Sequence, residues 1–150
     1  MKRFIASGFG VGIVWNSVFG NKKGGGTLAP LLFTLIIYFL QFNVLELSIL
    51  FIVLILIYIF AVDDQDADED PSWITLDEIV GMSLVSIASS SKLLPLIAGF
   101  IVFRLSDILK QPKFVKDLED YPGKLGVLYD DLGAGSVSYT HLTLPTSVSV

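Results

Sequence analysis

Three clusters of carboxylates stand at the edges of apolar stretches in this chain: Asp77-Glu78, Asp107 and Asp130-Asp131. Arg104 lies three residues before Asp107, and Lys110 three after it. Carboxylates are costly beside a bilayer and are kept there in the company of a metal ion or a cation. Several on one side of a membrane point to a divalent-cation site, and cations among them suit an anionic substrate. Phosphate chemistry on a lipid is the first expectation.

Each cluster also has a plainer reading. Thr75-Leu76-Asp77-Glu78 has the form of a capping box, a Thr with Glu three residues on, so Glu78 is as readily a cap as a ligand. Asp77 has no capping duty and is the better ligand candidate. Arg104, Asp107 and Lys110 at i, i+3 spacing also describe a salt-bridged helix end with a snorkelling Lys. Asp130-Asp131 taken alone reads as a solvated first turn. The run Asp63, Asp64, Asp66, Asp68, Glu69, Asp70 reads as a solvated loop, and His141 carries no functional weight. Gly20 to Thr27 looks like a phosphate-binding loop, but Gly26 stands where the lysine belongs and no strand precedes it. Gly8-Phe9-Gly10-Val11-Gly12 fails the dinucleotide fingerprint for the same contextual reason.

The elements that must position these residues are helices. The chain has 150 residues, one domain at most, and 53% of them are hydrophobic, too many for an ordinary soluble domain of this size. A formal charge of −5 argues against nucleic acid as a partner. Absence of cysteine excludes disulfides and thiolate metal sites. Residues 4–27 read as a glycine-rich shaped loop around short helical pieces. Apolar runs predict helices near 29–42, 45–62, 77–88 and 93–109, with a turn at Phe42-Asn43-Val44 and a last helix from Gly126. The runs are too long, and lack the alternation, for strands. The start, Met1-Lys2-Arg3-Phe4-Ile5, leads into no apolar run of the kind a cleaved signal needs.

If the four apolar helices cross a membrane, 1–27, 63–76 and 110–131 fall on one side. Of the ten Lys and Arg residues, only Lys92 falls on the other. The positive-inside rule places the first side in the cytoplasm, and all three acidic clusters land there. The expected fold class is therefore all-α: a compact bundle of short, mostly membrane-embedded helices with a glycine-rich N-terminal loop region. From Val137 the sequence turns to Ser, Thr and Val and helical periodicity disappears. Ser138 to Thr146 resembles translated sequencing-adapter read-through, so the domain is expected to end at 136, its last helix cut short, with 137–150 a poorly packed, non-native tail.

The motifs together resemble the phosphatidylglycerophosphatase A family of magnesium-dependent membrane lipid phosphatases. The matching residues are Gly8-Phe9-Gly10 with Gly12, Gly26-Thr27, and Asp70-Pro71 leading to Ile74-Thr75-Leu76-Asp77-Glu78 with Gly81. They continue through Gly99-Phe100, Phe103-Arg104, Asp107-Ile108, Lys110, Gly123, Gly126 and Asp130-Asp131 with Ala134-Gly135. The chain departs from the family at Gly25-Gly26-Thr27, where Pro-Gly-Thr is usual, and at Lys110-Gln111-Pro112-Lys113, where Lys-Pro-x-Pro is usual. Asp70 alone of the acidic run matches, and is kept as a minor candidate.

The resemblance implies hydrolysis of phosphatidylglycerophosphate to phosphatidylglycerol in the bacterial cytoplasmic membrane, with the site facing the cytoplasm. Mg²⁺ suits Asp77, Glu78, Asp107, Asp130 and Asp131, because it takes carboxylate oxygens and retains waters. It would activate a bound water, with an Asp nucleophile as the open alternative. Arg104 as a fork and Lys110 as a point charge would hold phosphate oxygens, with Gly26, Thr27 and glycine amides of 8–12 and 24–27 as further donors. Two rivals stay open. One is a small membrane protein that binds or conducts divalent cations, which has no use for Arg104. The other is a phosphatase for a different lipid phosphate.

Overall fold

The computed structural model describes residues 1–20, 24–68, 73–110, 113–119 and 121–144. Two short helices, α1 (Lys2–Ala6) and α2 (Val11–Phe19), precede the apolar helices α3 (Gly25–Leu40) and α4 (Val44–Ala61). After α5 (Asp64–Asp68) come α6 (Leu76–Ser89), α7 (Leu93–Leu109), α8 (Lys113–Glu119) and α9 (Gly123–Thr143). No strand occurs among the described residues. The turn between α3 and α4 has a local cause. Asn43 accepts a bond from the Glu46 amide at 3.0 Å while the Glu46 carboxylate accepts from the Asn43 amide at 2.8 Å, a reciprocal cap. At Thr75 the expected capping box is absent: Thr75 holds the N-cap position without a side-chain bond. Its Glu78 lies over Gly26 of α3.

Helix α6 lies at the centre, in contact with α3, α4, α7 and α9. Its small residues permit this. A Cβ on Gly81 would lie 2.7 Å from the Phe103 ring and 2.8 Å from the Asp131 carbonyl, and one on Gly135 would lie 2.7 Å from the Gly81 carbonyl. Backbones approach this closely only where side chains are missing. Val85 packs on Gly99 of α7, and Ser138 donates to the Gly99 carbonyl at 2.7 Å. The bundle has two ends. At one, Ser91 Oγ donates to the Phe42 carbonyl at 2.8 Å, joining the two turns. At the other, Tyr58 donates to the Lys124 carbonyl at 2.8 Å, Asp64 accepts from the Lys124 amide at 3.1 Å, and Lys2 pairs with Asp63 at 3.1 Å. This is the grouping of chain segments that the charge pattern predicts.

The expected end of packing at residue 136 is overturned. Helix α9 begins at Gly123 rather than Gly126 and runs unbroken to Thr143. Ser138 is fully buried, Val137 joins the core around Ile37, Met82, Val85 and Phe103, and Leu142 packs against it. Residues 145–150 lie outside the described residues. Periodicity misled here because α9 meets neighbours on several sides and is lined by Gly133, Ala134, Gly135 and Ser138, buried small residues that give no amphipathic stripe. Truncation after Ser136 is therefore expected to destabilise the fold by about 2–5 kcal/mol, the range for deleting buried side chains, read as a lowered Tm in detergent. An unchanged Tm would contradict this packing.

Among the described residues, α4 is long and apolar enough to cross a membrane by length and composition, and α3 is a shorter apolar helix. Leu45, Ile49, Ile52, Leu56 and Phe60 of α4 face outward, as do Ile36 and Phe39 of α3 and Leu94, Ile101 and Ile108 of α7.

Candidate active site

The acidic clusters come together where α6 and α9 cross. The two helices run in the same direction there, because Asp77 meets Asp131 one turn before Gly81 meets Gly135. In each helix an Asp precedes the crossing glycine by four residues, one helical turn, and so projects beside the contact. Asp77 and Glu78 also occupy the first turn of α6, where the helix dipole favours negative charge.

Asp77 and Asp131 are buried, and the Asp77 carboxyl lies within hydrogen-bonding reach of the side chains of both Glu78 and Asp131. Two carboxylates keep such a contact only with a proton or a cation between them. Burial pushes the Asp131 carboxyl well above the ordinary carboxylate range, and the negative charges of Asp77, Asp107, Glu78 and Asp130 push it further. Asp77 Oδ1, Glu78 Oε2 and Asp131 Oδ1 are buried and accept no hydrogen bond among the described residues. Glu78 lies over α3, so close that a Cβ on Gly26 would collide with its Oε1.

A second set adjoins the first and contains the cations. Arg104 Nη1 donates to Asp107 Oδ2 at 2.6 Å, and Nη2 donates to Thr27 Oγ1 at 3.2 Å. Lys110 stands 3.5 Å from Asp107 Oδ1 and is paired with Asp130. Asp107 is thus held between two cations, and Asp130 faces one. Arg104 Nε is buried with no acceptor among the described residues, so one donor of the fork remains to be used.

All seven charged residues singled out in the sequence, with Gly26 and Thr27, therefore occupy one connected region at one end of the bundle. Asp70 lies outside the described residues. The 8–12 glycine amides do not serve an anion: Gly8 donates to the Ile5 carbonyl, Gly10 to Phe4 and Ser7, and Gly12 to Ser7. Left-handed backbone at Gly8 (φ 62°) and Gly10 (φ 95°) folds that segment against Thr75 instead. Thr75, a cap by its sequence context, has its Oγ1 buried and without a partner among the described residues, beside the acidic cluster.

The all-oxygen donor set of Asp77, Glu78 and Asp131, in which the positive charge of Arg104 acts on Glu78, has the donor chemistry of a site for a hard divalent cation. Among the described residues, no three acidic or histidine side chains are arranged as a ready-made metal cage. Mg²⁺ does not require one, since it retains several waters and binds through one or two carboxylates.

The sequence profile of the family described as Phosphatidylglycerophosphatase A matches residues 4–145. A protein of Bacteroides thetaiotaomicron named "Putative phosphatidylinositol-3-phosphatase" is 31% identical over 142 residues, spanning 90% of this chain and 87% of that protein. No solved structure matches the chain.

Proposed function

Since the chain belongs to the phosphatidylglycerophosphatase A family, a family of lipid phosphatases, we propose that it hydrolyses the phosphomonoester of phosphatidylglycerophosphate, giving phosphatidylglycerol and phosphate, in a Mg²⁺-dependent reaction. One observation carries the reading: the buried carboxylates of Asp77 and Asp131, with no hydrogen-bond partner on Oδ1 among the described residues, lie beside an Arg-Lys pair at the same end of the bundle. Asp77, Glu78 and Asp131 would hold Mg²⁺. When bound, the ion supplies charge neutralisation at the phosphate and lowers the pKa of a coordinated water. Arg104, whose Nε meets no acceptor among the described residues, and Lys110 bind phosphate oxygens, Arg104 as a planar fork and Lys110 as a point charge. Asp107 and Asp130, already engaged by these cations, orient them rather than bind the metal. Thr27 fixes the other edge of the Arg104 fork.

The protein resides in the bacterial cytoplasmic membrane, with α4 as a span and the site on the cytoplasmic side. The outward apolar faces of α3, α4 and α7 support the first point and the gathering of Lys and Arg at the site's end the second. An ion conduit is disfavoured, because the carboxylates cluster at one end of the bundle and Arg104 stands among them. The name of the Bacteroides relative keeps a phosphoinositide monoester as the second substrate reading.

Phosphate release from phosphatidylglycerophosphate, phosphatidylinositol 3-phosphate, phosphatidic acid and an isoprenoid phosphate, with Mg²⁺ and with EDTA, tests the proposal. The expected result is Mg²⁺-dependent release with phosphatidylglycerophosphate preferred. Preference for the phosphoinositide would reassign the substrate, and equal release in EDTA would remove the metal.

A further inference from the structure

Helix α2 (Val11–Phe19) contains no charged residue, and its surface is largely apolar and uncovered: Val14 is 62% exposed, Val18 64% and Phe19 51%. Phe4 and Phe9, just before it, are each 53% exposed. With nine residues it is about 14 Å long, far short of the ~30 Å hydrocarbon core, so it cannot be a span. Its position indicates what covers it. Helix α1 packs on α4, where Lys2 stands 5.5 Å from the ring of Phe60, an outward residue at the end of the apolar α4 wall, and pairs with Asp63 just beyond it. Arg3 lies over the Trp73 ring at 4.8 Å. Cations and aromatic rings gathered where an apolar wall ends mark the level of a membrane–water boundary. Phe4 belongs to α1, which packs on α4, and α2 packs on α3, whose Leu31, Leu32 and Leu35 also face outward.

We propose that α2 is an interfacial segment whose apolar face beds into the boundary between headgroups and acyl chains. An apolar helix face lying in the interface reaches about 5–10 Å into it. The partner is the lipid surface, not a second copy of the chain, because α1 packs on α4 and α2 on α3, the two helices whose outward apolar faces are assigned to lipid. The segment also borders the site. Gly12 packs on the Trp73 carbonyl two residues before Thr75, and Gly24, two residues before Gly26, packs on the Trp15 ring. Bedding α2 would hold the carboxylates at headgroup height, where a lipid phosphate is found. The inference rests on the membrane reading of α4.

Trp15 is a probe in place, its ring tilted against the exposed Phe19 ring at 4.4 Å, and Trp73 is the second of only two tryptophans. The full chain carrying Trp73→Phe is reconstituted in phosphatidylglycerol–phosphatidylethanolamine vesicles and its emission recorded. Lipids brominated near the carbonyl end of the acyl chain are expected to quench Trp15 more than lipids brominated near the chain terminus, with little quenching by aqueous iodide. As a check on folding, subtracting the emission of Trp15→Phe from that of the unsubstituted protein should give the same depth. Val14→Asp with Val18→Asp should move Trp15 toward iodide and away from brominated lipid. Co-flotation with vesicles reports the membrane reading separately. A floating protein whose Trp15 answers only to iodide, or to neither quencher as in a chain–chain contact, overturns the interfacial assignment. A protein that does not float overturns the membrane reading beneath it.

Discussion

In Asp131→Asn, Mg²⁺-dependent phosphate release is expected to fall by about three orders of magnitude, the several kcal/mol that metal-assisted charge stabilisation supplies to such a reaction. The folded state should move the other way. Asp131 is 4% exposed and lies among Asp77, Glu78, Asp107 and Asp130, with no cation against its Oδ1 among the described residues. Replacing it by a neutral isostere removes a buried, poorly compensated charge, and without Mg²⁺ the variant should be more stable by about 1–3 kcal/mol. Mg²⁺ should raise the Tm of the unsubstituted protein, since a ligand of the native state stabilises it, and leave the variant's Tm nearly unchanged. Thermal unfolding and turnover against Mg²⁺ concentration make the check. Full activity with an undiminished Mg²⁺ response would take Asp131 out of the site. Loss of activity together with loss of stability would make it a structural residue.

Arg104 variants should separate the phosphate half of the site from the metal half. Arg104→Ala removes the fork that joins Asp107 to Thr27 and withdraws the unused Nε, so kcat/KM is expected to drop about 10²–10³-fold, as when one oriented donor to a reacting oxyanion is lost. Arg104→Lys keeps the charge but not the planar pair of donors, and should fall between Arg104→Ala and the unsubstituted protein. Both variants should keep the Mg²⁺-induced rise in Tm, because Asp77, Glu78 and Asp131 are untouched. Asp107→Asn should be milder than Asp131→Asn for the same reason. If Arg104→Lys matched the unsubstituted protein, a fork-like grip on phosphate would be excluded. If Asp107→Asn abolished the Mg²⁺ response, Asp107 would return to the set of metal ligands.

The sequence came close to the architecture wherever local rules suffice. Apolar run length and breaker residues located α3, α4, α6 and α7 to within a few residues, and the Lys/Arg distribution placed the acidic clusters at a common end. Local rules failed in three places. Thr75 and Glu78 have the spacing of a cap, but Thr75 makes no side-chain cap bond and the Glu78 carboxylate lies over Gly26 of a distant helix. The glycine amides of 8–12 have the look of an anion cradle, but Ile5, Phe4 and Ser7 consume them. The 137–144 segment lacks periodicity because it is packed on more than one side.

Residue type and spacing by themselves determined which side chains could do chemistry, since charge, ligand hardness and the i, i+3 stripe of Arg104, Asp107 and Lys110 belong to a single stretch of chain. Which carboxylates pair with cations was decided only in three dimensions. The sequence marks Asp77 as the better ligand candidate and leaves Glu78 between cap and ligand; in the fold Asp107 and Asp130 pair with cations, whereas Asp77 lies against Glu78 and Asp131. That division follows from where α6 and α9 cross. The Gly81–Gly135 contact sets the depth and direction of approach, and no spacing along one chain segment encodes which faces of two remote helices will meet.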